Sequence, residues 1–266
     1  MAETLTRRYL EHTLQTDLGL SSEVDVLAHV DLPSMGDVEG GAETVVDALL
    51  ACSGTLAMPA FTYQTQIIPQ LGPPDNAIVY GTGDAVNAKA EIFRPDLSVH
   101  PDCGSVSEAL RQREETLRST HPILSFVAQG PHAREVLASQ TRQNPLGPVG
   151  WLEAHDGVVL LLGVDQRRNF ALHLAEQRAG RKTFTRWALT IDDIEELAYI
   201  PGCTEGFNEI WYDLLSVATV SRVGLARAEV MPIEAMLEVA ELRLAVEPNL
   251  MLCDKPSCLS CRAREV

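Results

Sequence analysis

A histidine and a glutamate stand three positions apart in NFALHLAEQR, as His173 and Glu176. On a helix that spacing puts both side chains on one face, a turn apart. An imidazole titrates near neutral pH, which suits it to take a proton and return it. To do so it must be held in one tautomer by a partner on its other nitrogen, usually a carboxylate or a carbonyl. The pair follows GVVLLLG, in which the apolar run Val158 to Leu162 ends at Gly163. A helix that starts past the carboxyl end of a buried parallel strand lies where open α/β sheets bind ligands. The same spacing also suits a half-buried histidine on an amphipathic helix, and the residues alone leave both readings open.

A second stretch with chemical potential is HVDLPSMGDVEGGAETVVDALL, where a strand gives way to a loop with Ser34, Gly36, Gly40 and Gly41 and then to a helix. Free amides at a helix start favour a phosphate, and glycine lets a backbone approach it closely. The glycine spacing is not the dinucleotide fingerprint, and no Gly-Lys-Ser/Thr follows as in a P-loop. An ordinary turn that needs small residues fits equally well. In LRSTHPILSFVAQG, His121 precedes a proline and is held extended. It can contact a ligand or close the turn.

The cysteines offer a rival chemistry. Cys52 falls late in an apolar helix, Cys103 in a proline-rich loop, and Cys203 before a helical segment where a thiolate could be stabilised. None has an acyl-enzyme context. In the tail, CDKPSCLSC supplies Cys253, Cys258 and Cys261 as three zinc ligands, with Cys203 or a histidine as a fourth. Without a second CxxC pair the expectation is reduced thiols and no metal.

These residues need a scaffold. The spacing predicts a helix over 4–16, a buried strand over 23–32, a helix over 40–54 capped by Gly54, and a buried strand over 55–61. That is a βαβ unit, which implies parallel strands and a right-handed crossover. The stretch 62–104 is broken by prolines and glycines and reads as a long loop, usually functional or mobile. Beyond it the sequence predicts a helix over 105–113 with a Ser105/Glu108 capping box. A strand over 124–130 and a helix over 131–140 with proline at its first position follow. Next come a strand at 158–164 and a helix over 169–179. Alternation at 183–190 and 196–202 predicts antiparallel strands. A helix over 205–218, two short strands about Gly224 and a helix over 232–246 complete the chain. The expectation is one α/β domain over 1–266, a three-layer α/β/α sandwich around a mixed, largely parallel sheet.

At 266 residues and 45% hydrophobic content, the chain can bury a real core. No apolar run is long enough to span a membrane. The N-terminus lacks a signal-peptide core, so a cytoplasmic protein is expected. Six cysteines are too few and too uneven for a disulfide framework. A formal net charge of -16 argues against nucleic-acid binding, which needs basic side chains for the phosphates. It suits cationic ligands, or solubility alone.

Taken in order, HVDLPSMG…GGAETVVDALL, GTLAMPAFT, LRSTHPILSFVAQG, VVLLLGV…LHLAE, PGCTEGF and the cysteine-bearing tail resemble the aminoglycoside 3-N-acetyltransferases over roughly residues 5 to 261. The resemblance implies a single α/β/α sandwich and acetyl-CoA as cosubstrate. It implies a cationic aminoglycoside as acceptor, no metal, and a monomer or homodimer. It implies that His173 is the general base, that Glu205 orients it, and that Glu176 acts behind it or on the substrate. It assigns CoA binding to His29, to Ser34, Met35, Gly36, Gly40 and Gly41, to Thr62, Ser119 and His121, and to the strand around Ser125 and Phe126. Acidic side chains near the 62–104 loop, Asp75, Asp84 and Asp102 with Asp96, would meet the polycation. The chain departs from the family pattern in two places. Val30 and Asp31 follow His29 where two serines are usual, and Phe170 replaces a threonine three residues before the base. A different amine acceptor, or a homologue that binds CoA and polycations with impaired catalysis, are the alternatives.

Overall fold

The computed structural model describes residues 4–266. Its strands are β1 (Val26–Val30), β2 (Leu56–Pro59), β3 (Gln66–Ile67), β4 (Leu117–Arg118), β5 (Phe126–Gln129), β6 (Val158–Leu162), β7 (Phe184–Leu189), β8 (Ile194–Ile200), β9 (Thr219–Val223) and β10 (Ala226–Pro232). Its helices are α1 (Arg7–Thr16), α2 (Leu32–Met35), α3 (Gly41–Ala51), α4 (Asp84–Asn87), α5 (Gly104–Arg111), α6 (Ala133–Ala138), α7 (Gly147–Glu153), α8 (Leu172–Arg178), α9 (Trp211–Leu214), α10 (Ile233–Val246) and α11 (Leu259–Arg262).

Seven strands form one mixed sheet in the order β4-β5-β2-β1-β6-β10-β9. At its centre β1 runs parallel to β2 and β6, and the strands toward both edges join antiparallel. The central strands are the near-continuous apolar runs VLAHV and VVLLL, as strands covered on both faces must be. Alternation along them feeds two cores. Leu27, Val159 and Leu161 point into a core built with α6, α7, α8 and α10. Val26, Ala28, Leu160 and Leu162 point into another built with α1, α3 and α5. Helices therefore cover both faces, and the three-layer sandwich follows from the period-two pattern.

A second sheet, β3-β7-β8, is antiparallel. It gathers the proline-rich excursion that the sequence predicts as a long loop. The Asn76 side chain donates to the Thr185 carbonyl (2.9 Å) and accepts from the Thr185 N–H (2.8 Å), which ties the excursion to β7. Among the described residues, no helix is long and apolar enough to cross a membrane.

Several local expectations fail for identifiable reasons. The Ser105/Glu108 capping box does not form, because α5 begins at Gly104 and Glu108 instead bonds the Val99 N–H and Arg111. Gly54 does not cap α3, which ends at Cys52. A Cβ at Gly54 would press on Asp25 and the Ser22 carbonyl, so the glycine serves a close crossing. The segment 205–218 forms only a 3-10 turn, Phe207–Ile210, and the short α9. Pro131 lies before α6 rather than at its first position.

Candidate active site

Past the end of β6 the chain turns at Gly163, which sits at φ +73. A Cβ there would run into Ser34 Oγ and come within 2.9 Å of the Asp31 carbonyl oxygen, so only glycine fits. Asp165 then accepts from the Arg167 N–H (3.1 Å) and starts the 3-10 turn Gln166–Arg168. Asn208 also donates to it (2.9 Å). Buried Asn169 donates to Gln166 (2.8 Å) and closes the turn just before α8.

The first five residues of α8, Leu172 to Glu176, are all buried. Its faces are filled by neighbours, which is why the sequence LHLAE carries apolar residues around the pair. Nδ1 of His173 lies 2.7 Å from Glu176 Oε2. Glu176 also accepts from Arg181 (2.6 Å) and from Arg264 (2.9 and 3.1 Å). Burial by itself would raise the Glu176 pKa. The hydrogen bond from His173 and the charges of His173, Arg264 and Arg181 outweigh it and hold the carboxyl below its usual range. A carboxylate only accepts, so Nδ1 donates to it, and in the neutral ring Nε2 is the lone-pair position. Phe170 and Phe207 meet the imidazole edge-on, with centroids 5.1 and 4.9 Å away.

A cavity of about 680 Å³ opens at the carboxyl ends of β1 and β6. Asp31, Asp102, Asp165 and Glu205 line it, with Arg167 and Arg168 as its cations. Arg167 pairs with Asp165 (2.7 Å), and Arg168 reaches Asp102 (3.4 Å). His29 forms part of the wall. Burial, and next the charge of Arg168, lower its pKa to about 3, so its ring is neutral. Cys103 also lines the cavity, and burial pushes its thiol up to about 12, which leaves no thiolate to attack.

The structure redistributes the residues picked from the sequence. His173 does not line the cavity; Phe170 lines it, with its ring against the imidazole. Glu205 does not orient His173. It is half exposed, pairs with Lys255 (2.9 Å) and forms cavity wall, while Glu176 takes the orienting position. Of the residues assigned to CoA, only His29 lines the cavity. Met35, Thr62, His121, Ser125 and Phe126 are buried and do not line it. Thr62 Oγ1 donates to the Pro122 carbonyl, and Ser125 Oγ to the Ala60 carbonyl. Nδ1 of His121 accepts from the Ile123 and Leu124 N–H groups. Ser119 donates to Gln140 and accepts from the Phe126 N–H. The Ser34 hydroxyl donates to the Asp31 carbonyl, while Gly36 and Gly41 bond neighbouring carbonyls of their own loop. Gly40 is the left-handed turn residue that starts α3. Among the three acids assigned to substrate, Asp102 lines the cavity, while Asp75 and Asp84 sit exposed on the excursion away from it. Asp31, a departure from the family pattern, caps α2 by accepting from the Ser34 N–H.

Sequence reasoning missed Arg181 and Arg264, which reach Glu176 from outside its helix. It also passed over Arg167 and Arg168, although two arginines between a buried strand and the helix carrying the histidine were a usable signal.

This arrangement is an α/β sandwich with a buried histidine–carboxylate pair beside a cavity at its parallel strand ends. A family model described as aminoglycoside 3-N-acetyltransferase matches residues 27–245, and the chain belongs to that family. The chain is 35% identical over 184 residues to aminoglycoside N(3)-acetyltransferase IX of Micromonospora chalcea, covering 66% of this chain and 63% of that protein. The match thus spans less than two thirds of that relative's length. The crystal structure of the aminoglycoside acetyltransferase AAC(3)-IVa apoenzyme superposes with a TM-score of 0.80 at 26% identity, over 99% of this chain and 98% of that one. A histidine-to-alanine mutant of AAC(3)-IVa, in complex with a gentamicin, superposes at 0.79 with 25% identity, over 100% of this chain and 99% of that one.

Proposed function

We propose that this protein transfers the acetyl group of acetyl-CoA to an amine, the 3-amino group, of an aminoglycoside. The observation that carries the reading is the 2.7 Å contact between His173 Nδ1 and Glu176, which leaves Nε2 free beside the ring of Phe170 in the cavity wall. A protonated amine has no lone pair and cannot attack a thioester. Nε2 of His173 takes the amine proton while Glu176 stabilises the imidazolium that results. The neutral nitrogen attacks the acetyl carbonyl directly, the C–S bond breaks, and the CoA thiolate takes the proton that the imidazolium returns. The acylated nitrogen loses its second proton to solvent, so that ammonium and thioester give amide, CoASH and one released proton. Rotation of Phe170 brings Nε2 into line with the cavity.

The walls divide the two substrates by charge. Arg167 and Arg168 suit the pyrophosphate and 3′-phosphate of the cosubstrate. Asp31, Asp102 and Glu205 suit the ammonium groups of the acceptor. The relative crystallised with a gentamicin supports an aminoglycoside acceptor. Phe170 favours a second acceptor class, a smaller amine that fits without moving the ring. Thiol release measured with acetyl-CoA and a panel of amines distinguishes the two. His173→Ala should lower kcat by a factor on the order of 10² to 10⁴; an unchanged rate would overturn the assignment.

A further inference from the structure

Four cysteines from two distant segments converge behind the histidine–glutamate pair. The sulfur atoms of Cys203, Cys253, Cys258 and Cys261 all lie within 4.8 Å of one another, and none is in a disulfide. A tetrahedral zinc with Zn–S bonds of about 2.3 Å sets its sulfurs about 3.8 Å apart, so the cluster needs only a small contraction to close on the metal. Backbone amides already point at the sulfurs. The Cys253 N–H donates to Cys261 Sγ (3.3 Å), and the Glu205 N–H to Cys203 Sγ (3.4 Å). Such N–H···S bonds are the usual outer support of a zinc–thiolate centre.

The charges around the cluster point the same way. Arg181 and Arg264 are both buried, and both pair with the single carboxylate of Glu176. Among the described residues neither has a second carboxylate partner. Two buried guanidinium groups on one carboxylate leave a positive excess, and a buried charge without a counter-charge is costly. Arg264 turns its remaining donors toward the cysteines. Its Nη2 donates to the Cys203 carbonyl (2.9 Å) and lies 3.6 Å from Cys261 Sγ. Four thiolates on one Zn²⁺ carry a net charge of minus two, which supplies the missing anion.

We propose that Cys203, Cys253, Cys258 and Cys261 bind one Zn²⁺, and that the anionic tetrathiolate holds Arg264 in place on Glu176. Each thiol gives its proton to solvent as it ligates. Four protein ligands close the coordination shell, so the metal is structural. The metal site stands on the cysteines alone. Its effect on catalysis rests on His173 as the base, with Arg264 as a positioning residue.

Elemental analysis of the full-length protein, purified from zinc-supplemented culture, should find one zinc per chain. Cys258→Ser should lose it and Cys52→Ala should keep it. Cobalt added to chelator-stripped protein should give the strong absorption of a tetrahedral thiolate site. Zinc below a tenth of an equivalent, iron in its place, or disulfides among these cysteines in the freshly purified protein would each overturn the site. Stripping the metal should lower kcat by on the order of 10- to 100-fold, shift the pH profile of kcat, and leave the KM for acetyl-CoA little changed, with added zinc restoring both. Arg264→Ala should keep the zinc and show the same kcat loss. If stripped protein keeps its kcat and pH profile, the coupling to Arg264 is wrong although the metal site stands. If His173→Ala turns over normally while zinc is stoichiometric, it is the assignment of the base that fails.

Discussion

Two junctions between strand and helix lie side by side at the carboxyl edge of the sheet, one after β1 and one after β6. Both are glycine-bearing, and both follow a buried strand. The first, Asp31 to Gly41, satisfies itself: Ser34 bonds the Asp31 carbonyl, Asp31 caps α2, and the Leu5 backbone bonds Asp37 and Glu39 across it. The second, Gly163 to Phe170, faces the cavity with Arg167 and Arg168 and delivers His173 onto α8. They touch at Gly163, whose missing Cβ makes room for Ser34. A glycine-rich turn is therefore not an anion site by composition. What matters is whether its donors are already spent within the fold.

The sharpest test of that contrast removes the carboxylate that holds the histidine delivered by the second junction. Glu176→Ala leaves Arg181 and Arg264 buried without a carboxylate partner and should destabilise the protein by about 3 to 5 kcal/mol, with a loss of kcat in the surviving folded fraction. Denaturant unfolding and thiol release measure the two. Phe170→Thr should come next. The ring packs on Phe61, Phe126 and His173, so trimming it should cost about 3 kcal/mol. It should also raise kcat/KM for bulky aminoglycosides, because His173 then meets the cavity directly. A fall in both stability and activity would mean that the ring supports the base instead of screening it.

A pH titration of stability probes the buried ionisable groups around these junctions. His29 and His121 have folded-state pKa values near 3, below the ordinary 6.5, because burial penalises their charged forms. The unfolded chain binds protons that the folded one refuses as pH falls below about 6.5. Stability from these groups is therefore full above that pH and drops toward pH 3, by up to about 1.4 kcal/mol per pH unit for each ring. Glu176, depressed in the folded state, adds a loss of the same sign at lower pH. Thermal unfolding between about pH 7.5 and 4.5 should show the decline, and a flat profile would contradict the neutral, buried histidines. The smallest effect separates the junctions most cleanly. Ser34→Ala should cost about 1 kcal/mol and leave the KM for acetyl-CoA unchanged, whereas Arg168→Ala should raise that KM about tenfold while barely altering stability.

Much of this molecule was legible in its residues because the relevant interactions are local or periodic. The apolar runs Val158–Leu162 and Val26–Val30 predicted buried strands, and the hairpin about Gly224 and the final helix appear where the spacing put them. His173 and Glu176 could be paired from their spacing because one helical turn brings them together whatever the rest of the chain does. The choice of Glu205 as orienting group failed for the opposite reason. Its distance from α8 depends on how the segment after β8 folds back, and there Lys255 claims it. The serines and histidine of LRSTHPILS looked like ligand contacts, yet burial turned them into internal struts, since a polar group enclosed by the core must bond to the core.

The sequence by itself determined the layers, the two buried strand runs and the histidine–carboxylate pair, since periodicity and helix geometry act over a few residues. Only the tertiary structure decided that the Ser34 loop is closed and that Arg264 and four cysteines meet behind Glu176. Those meetings join segments up to 88 residues apart, and no local rule sets a distance between residues that only the packing of whole elements brings into contact.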